Sequence, residues 1–594
     1  MSESEAVDYG QDVQEDNDGW AWVEDDDEVS DKMEDGAQEG DLFTFCMCQL
    51  KVVLDFGQTN HTIGNNILSD EDRDNIHMFN LLMTGHISRC TYSQMRFAFR
   101  HKMNLDSQYI IFQWMAKLSG VQTLSVDCCK NSCIAYTTNY VYLKSCPCCG
   151  EAWCNQHGKP HRQFMYLPLI PQLQGYWYFQ STKMIEALSY HTAYDLAKGN
   201  ISDVFNANHY QRLLCHHVMV DREKLPHRYF SDSWDIALGL CTNSYLLFRR
   251  WCKGPSGTPI LLQNYNLPLN IRTHSKNLLC VGIVPGPHQP KDLGSFLMPL
   301  DNECAELAYG IQTFNTLQQV LFKMHAYIIL KSGDIVAIKC FLNIKGHNSI
   351  YPCRSFKVQA VRGLGKTHYM PLHPPSQHCS KRALYQLAPL CHHKDFSDVN
   401  KRISTVKSKT KKAKIAKQTG IKGLPSLRHV RSLDYAWLSA WEWFHLFLEN
   451  IIPNLVDFWT GQFKGLGTGR EDFKIAPEIW QEIGMETAAS VWHIPSTFVR
   501  ALTNIATDRS LFTAESWGFW FIHLAPKLLE GCFAKRKYYT HMCELVEIMK
   551  VTLQFSIPLK QLDDIEARMI DWVQKYEKYA FHMVNCIVML ILCP

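Results

Sequence analysis

Apolar residues recur at helical spacing in two stretches near the N-terminus, Ser93–Met103 and Tyr109–Leu118, where they surround basic positions. The plain reading is a pair of core-facing helices. From about residue 230 the spacing changes. Short aliphatic runs at Ile236–Leu240, Pro259–Tyr265, Leu278–Val284 and Tyr327–Leu330 predict four strands. An amphipathic stretch, Leu297 to Leu321, lies between the third and fourth and predicts a helix. Strands, then a helix, then a strand that ends near an acid describe an α/β core. Beyond Trp437 the pattern is helical almost to the end: Trp441–Asn450, Pro477–Met485, Pro495–Ala506, Ala514–Leu529, Lys537–Phe555 and Pro558–Tyr579. No internal repeat is visible.

A chain of 594 residues is too long for one ordinary core, and 46% hydrophobic and 12% aromatic residues suffice to fill several. Charge sharpens this division. Residues 1–41 hold seventeen Asp/Glu and one Lys, so the formal net charge of +2 conceals a basic body behind an acidic tail. That asymmetry is expected of a nucleic-acid binder with an interaction tail, or of a solvated disordered tail without a specific partner. The N-terminus is acidic and polar rather than basic and then apolar, so no signal peptide is predicted. The 23 Cys then point to a reducing compartment, where thiols ligate metals or fill cores. The longest apolar run, Met583 to Leu592, is about half of what a bilayer requires, and a soluble protein without membrane contact is expected.

Four of those cysteines have ligand spacing. Cys129-x3-Cys133 and Cys146-x2-Cys149 are separated by twelve residues, as two thiolate pairs on facing knuckles would be. Gly150 suits the turn that aims backbone amides at sulfur. A structural zinc ion is the expected occupant; buried or free thiols are the competing reading. Cys128, Cys148, Cys154, His157 and His161 lie close by, which leaves the ligand set open at this point.

Between Asp235 and Phe356 several strings follow one another. Leu240-Cys-Thr-Asn243-Ser244 comes first, then Asn277-Leu-Leu-Cys-Val-Gly-Ile-Val-Pro-Gly-Pro287 and Pro290-Lys-Asp-Leu-Gly-Ser-Phe-Leu297. Ser332-Gly-Asp334-Ile and Lys345-Gly-His347-Asn-Ser-Ile-Tyr-Pro-Cys353-Arg complete the series. In this order they resemble the CACTA (En/Spm) DNA transposases of plants and fungi. The cysteine strings Asn131–Thr137 and Cys146–Glu151 fit the same resemblance. So do the helical strings around Glu442-Trp-Phe-His445 and Glu449-Asn450, Trp459-Thr-Gly461, Phe512–Trp520 and Tyr538–His541. It covers about residues 90 to 580.

The resemblance implies an RNase H-like mixed-sheet core with a large helical insertion and an N-terminal zinc-ribbon-like module. It also implies metal-dependent cleavage and transfer of DNA strands. Such chemistry needs carboxylates that hold two divalent ions, Mg2+ or Mn2+, about 4 Å apart. The first carboxylate belongs at the end of the first strand, where the family's Leu-Ser-Thr-Asp-Gly is matched by a chain carrying Asn243. Asn is neutral and a poor ligand for a hard dication. Asp232 and Asp235 lie nearby but do not match the position. Asp334 matches the second carboxylate; on position alone, an Asp in a Ser-Gly-Asp turn is a turn residue or a helix N-cap.

After the second acid the related enzymes carry a Cys-x2-Cys pair that builds a zinc site with later histidines. Cys353 stands at its first position and Phe356 at its second, and His445 is the other candidate ligand in this part of the chain. Glu442 and Glu449 lie two turns apart on one predicted helix, as exposed helix acids or as members of a shared cleft. The text after Tyr579 departs from the family's pattern, and the elements expected to bear the last acid are not recognisable. Between Lys401 and Arg431 there are eleven Lys/Arg and no acid. Lys401, Arg402, Lys407, Lys409, Lys411, Lys412, Lys414 and Lys417 are the candidate contacts to DNA phosphates, in a segment that also reads as a linker or a nuclear-import signal.

The expected organisation is an acidic tail (1–41), a helical region (42–120), a zinc-ribbon-like module (121–180), the first part of the RNase H-like core (230–390), a basic linker (391–432), a helical insertion (433–580) and an aberrant apolar end (581–594). The expected protein is nuclear, derived from a transposase and catalytically silent. Its expected partner is DNA, with self-association on DNA suggested by the analogy. A DNA- or protein-binding factor retained after domestication and an inert pseudogene product are the alternatives.

Overall fold

The structure, a computed structural model, describes residues 62–63, 66–67 and 69–580, apart from 86, 179–181, 195–198, 247–255, 348, 363–367, 370–389, 464–470 and 501. The acidic tail and the apolar end lie outside the described residues. Those described belong to one unit, Phe45–Pro594.

Three helices come first: α1 (Asp70–Thr84), α2 (Arg89–Phe99) and α3 (Gln108–Leu118). Each begins at a serine whose hydroxyl accepts a first-turn amide, and at α1 Asp72 returns the bond to Ser69 as a capping box. The amphipathic stretches read from the sequence account for α2 and α3.

Strands β1 (Leu124–Cys128) and β2 (Arg162–Tyr166) flank the cysteine pairs, and helix α4 (Leu169–Tyr178) follows. A hairpin, β3 (His217–Val220) and β4 (Glu223–Arg228), leads into the central strands β5 (Ile236–Thr242), β6 (Ser256–Asn264) and β7 (Leu278–Pro285). Helix α5 (Met298–Tyr309), a second hairpin of β8 (Ile311–Asn315) and β9 (Val320–Met324), strand β10 (Ala326–Ser332) and helix α6 (Ile335–Leu342) complete this part. The main path of the sheet runs β10-β5-β6-β7-β2-β1, and its pairs are antiparallel except β10 with β5. The crossover through α5 makes that parallel pair possible. Apolar side chains such as Leu238, Leu240, Ile260, Leu262, Val281 and Ile328 fill one core with Phe296, Leu300 and Phe341.

The amphipathic stretch Leu297–Leu321 divides differently from the sequence reading. The helix stops at Gly310, and alternating residues from Ile311 onward pair as a hairpin. Alternation over five residues is too short to stand out against the helical period beside it.

The outer edge of β10 is covered by the segment 430–439. Leu438 O accepts the Lys331 amide at 2.8 Å, and Ser432 Oγ donates to Ile328 O at 2.6 Å. The basic segment before it is helical, as α7 (His393–Thr405) and α8 (Lys409–Thr419). The last part is helical and has its own core of Trp459, Trp480, Trp520, Met542, Leu545 and Trp572. It contains a π-helical stretch, Phe444–Ile451, followed by α9 (Ile452–Thr460), α10 (Pro477–Ser490), α11 (Arg536–Thr552) and α12 (Leu559–Ala580). The helix expected over Pro495–Ala506 is absent among the described residues; Asn504 Oδ1 instead accepts the Ala506 amide in a local turn. Among the described residues no helix is long and apolar enough to cross a membrane.

Candidate functional site

The cysteine pairs converge. The Sγ atoms of Cys129, Cys133, Cys146 and Cys149 all lie within 4.8 Å of one another, against the edge of about 3.8 Å that a tetrahedron with zinc–sulfur bonds of about 2.3 Å requires. The turn after Cys146 closes through Gly150 N to Cys146 O at 2.9 Å, with Gly150 at φ +78°, a backbone region that side-chain-bearing residues avoid. Asn131 N donates to Cys129 Sγ at 3.4 Å. Burial pushes the Cys129 thiol up to about 11 and the Cys133 thiol higher still. Burial also opposes ionisation of Cys149, but hydrogen bonds led by the Glu151 backbone hold it at about 7. A cation would supply the counter-charge that the other thiolates lack. The spare ligands separate cleanly: Cys128 is buried in the sheet core and Cys148 is exposed.

This knuckle is joined to the sheet. The amides of Lys291 and Asp292 donate to Cys133 O at 2.9 and 3.1 Å, Ala135 N donates to Ser295 Oγ at 2.9 Å, and Tyr140 OH donates to Asp292 at 2.9 Å. Ser132 Oγ and Arg162 both donate to Gly286 O.

At the other end of the sheet path, register sets the second site. Cys241 of β5 pairs with Ser332 of β10, and Asn243 and Asp334 each lie two residues beyond that couple. They therefore follow the same ends of neighbouring parallel strands, which run about 4.8 Å apart. Asn243 is exposed, while Asp334 caps α6 by accepting the Ala337 amide at 2.6 Å. Asp235 lies away from these strand ends. It precedes β5, about 25 Å of strand from Asn243 at about 3.3 Å per residue. It is 1% exposed and bound to His325 Nδ1 at 2.9 Å. Asp232 is farther back on the same side.

Residues 219–375 match the Transposase family tnp2.

The matched segment contains both strand ends, the crossover and Cys353, and stops before α7. No curated protein matches the chain significantly.

Outside the match, the π-helical stretch contributes a second acidic group. Glu442 accepts the amides of Phe444 and His445 and binds His445 Nδ1, while His445 Nε2 lies 3.5 Å from Glu449. The imidazole is thus a bridge between the two carboxylates, with a nitrogen engaged on each side. The hydrogen bond to Glu442 raises its pKa against the opposing effect of burial, and Glu449 and Asp334 raise it further. Burial pushes the Glu442 carboxyl up, but the bonds from His445 more than offset this and leave it below the usual range.

Cys353 and His445 are not brought into a shared metal cluster; among the described residues the only such group is the four-cysteine one. Cys353 Sγ accepts the Phe356 amide at 3.3 Å, and the Phe356 ring packs edge-on against Trp437, 6.4 Å between centroids.

The DNA candidates Lys401, Arg402, Lys407, Lys409, Lys411, Lys412, Lys414 and Lys417 lie on or beside α7 and α8, and most of them are exposed. Phe396, Val399 and Ile403 anchor α7, so its basic residues face out. Beyond α8, Lys345 N bonds Gly420 O and brings Lys422 to α6. Burial pushes the Lys422 ammonium down, Cys340 opposes this, and Lys339, Lys345 and Lys291 push it down further. Lys291, Lys339, Lys345 and Lys422, spread over more than a hundred positions of sequence, thus lie close enough to repel one another. Sequence spacing gives no signal for such a cluster. The same is true of a cleft of about 600 Å3 lined by Arg212, Arg222, Arg431, His209, His217 and His393.

Another residue without a sequence signal is Lys331. Its side chain is 0% exposed, its Nζ donates to Ser332 O at 2.5 Å, and it lies 5.9 Å from the Phe341 ring centroid. A Cβ placed on Gly333 (φ +150°) would lie 3.1 Å from Nζ and 3.3 Å from Thr242 O. The ammonium therefore lies beside Gly333 at the end of β10, on the side from which Thr242 O of β5 approaches that glycine. Burial lowers its pKa to about 8, with Cys241 and Asp334 pulling the other way.

Proposed function

We propose that this chain is a DNA-binding protein of CACTA transposase descent whose strand-cleaving chemistry is silent. The observation that carries the reading is the parallel pair β5/β10, which sets Asn243 beside Asp334 where an RNase H-like nuclease would present two carboxylates. The strand order, the crossover through α5 and the family match support the descent.

Divalent catalytic ions do not fit the strand ends. One donor is a neutral amide, Asp334 is engaged as a helix cap, and a buried ammonium lies beside Gly333 at the end of β10. No cleavage step is assigned to these residues. Zinc fits the four-cysteine centre: its donors are soft, close and arranged on a hydrogen-bonded knuckle. Bound there, the ion would fix the loop that joins β1 to the 286–295 segment.

Binding is proposed to run over α7, α8 and the lysines around α6, as contacts to backbone phosphates, in the nucleus. The test is a gel shift over a salt series together with a nicking assay in Mg2+ or Mn2+. Salt-sensitive binding without nicking is expected. Nicking that requires Asp334, or no DNA binding at any salt, overturns the proposal.

A further inference from the structure

We infer that Lys331 is a built-in cation that takes the place of the divalent ion between the ends of β5 and β10 and excludes it. This rests on the descent proposed above and adds a second lesion to Asn243.

Lys331 pairs with Leu240, one residue before the Cys241–Ser332 couple, and its Nζ lies beside Gly333, two residues farther along the chain. Its Nζ reaches the region bounded by Ser332 O, Thr242 O and the Gly333 backbone. The carbonyl oxygen of Ser332 accepts from the ammonium, and carbonyl oxygens are groups that suit a hard metal ion as well. Cys241, Asp334 and Cys340 are the groups whose negative charge would favour the ammonium. The side chain is wholly buried, so solvent does not screen its charge from an approaching ion. A buried ammonium whose hydrogen bond goes to a carbonyl rather than a carboxylate is costly and uncommon, and here it stands where the catalytic reading requires positive charge. Gly333 leaves room for it, since a Cβ there would crowd Nζ.

One consequence separates this inference from a simple loss of Asp at position 243. Restoring the carboxylate by Asn243→Asp alone leaves the ammonium in place, and the new carboxylate would pair with Lys331 rather than with a metal ion. Metal binding requires both changes.

The experiment is Mn2+ titration of the full, zinc-loaded chain, followed by electron paramagnetic resonance, on wild type, Asn243→Asp, Asn243→Asp/Lys331→Met and the same double variant with Asp334→Asn. The expected result is at least ten-fold tighter Mn2+ binding in the double variant than in Asn243→Asp, abolished by Asp334→Asn. Equal binding by Asn243→Asp and the double variant, whether tight or absent, overturns the inference. Circular dichroism checks the fold, and Asn243→Asp/Lys331→Gln offers a second uncharged side chain should methionine prove disruptive. DNA binding and nicking by the wild type test the parent reading separately, so the two can fail independently.

Discussion

Replacing Lys331 by methionine removes a buried charge while keeping most of the side-chain volume, and burial sets the direction of the effect. A fall in pKa from 10.5 to about 8 is a preference for the neutral form of about 3 kcal/mol at about 1.36 kcal/mol per pH unit. Full burial means that solvent does not dilute this figure. The sign follows from proton counting. Between pH 8 and 10.5 the unfolded chain still holds a proton that the folded chain has released, so wild-type stability rises with pH in that window. Lys331→Met should therefore be more stable than wild type by about 3 kcal/mol at pH 7, with the difference shrinking above pH 8 and vanishing above 10.5. Paired urea titrations of the two proteins at pH 7, about 9 and 10.5 measure it, because subtraction removes the other titrating thiols and phenols. A variant less stable than wild type at pH 7, or a gain independent of pH, would refute the reasoning.

Other outcomes follow from the same geometry. Cys146→Ser should lower bound zinc from one ion per chain to a small fraction, read by elemental analysis, and should abolish the tetrahedral cobalt spectrum of the substituted protein. Reversing Lys409, Lys411, Lys412 and Lys414 to Glu should flatten the salt dependence of DNA binding by about 0.9 in log–log slope for each phosphate no longer neutralised; an unchanged slope would show that DNA lies on another face. The His445–Glu442 pair should stabilise the chain most between the lowered Glu442 pKa and the raised His445 pKa. The His445 contribution is complete below pH 6.5 and lost as pH rises through its folded value. The Glu442 contribution is complete above pH 4.5 and lost as pH falls through its own. Proton NMR titration of His445 in wild type and Glu442→Gln checks this, with a drop in the histidine pKa expected. Asp203→Asn should cost about 3–5 kcal/mol by stranding Arg272, whose two nitrogens both bond that carboxylate at 2.9 Å in a buried pair; a melting temperature equal to wild type would contradict this.

Legibility in the sequence varies with the physics of each element. The runs of β5 around Leu238, and those of β7 and β10, are largely apolar because both faces are buried, and they stand out on composition alone, as does the Pro259–Leu262 stretch within β6. Strands β1 and β2 do not, because their exposed positions break the run and the cysteines between them dominate the local text. The four ligands are readable from spacing, whereas the choice between Cys129 and Cys128 needs the burial of the latter in the core. Motif alone matches Asn243 and Asp334 to their positions, and only register shows them side by side. Lys331 reads as an ordinary residue at the end of a strand; its significance lies in burial, which a single sequence does not display.

The segment 430–439 lies along the free edge of β10, bonded through Leu438 O and Ser432 Oγ. That edge would otherwise offer a row of unpaired amides and carbonyls to any neighbouring chain. During synthesis, β10 leaves the ribosome about a hundred residues before its cover does. The nascent sheet therefore passes through an interval in which it is sticky. A recombinant fragment cut at residue 375, the limit of the family match, would remain in that state permanently, while one that runs past Ser439 carries its own seal.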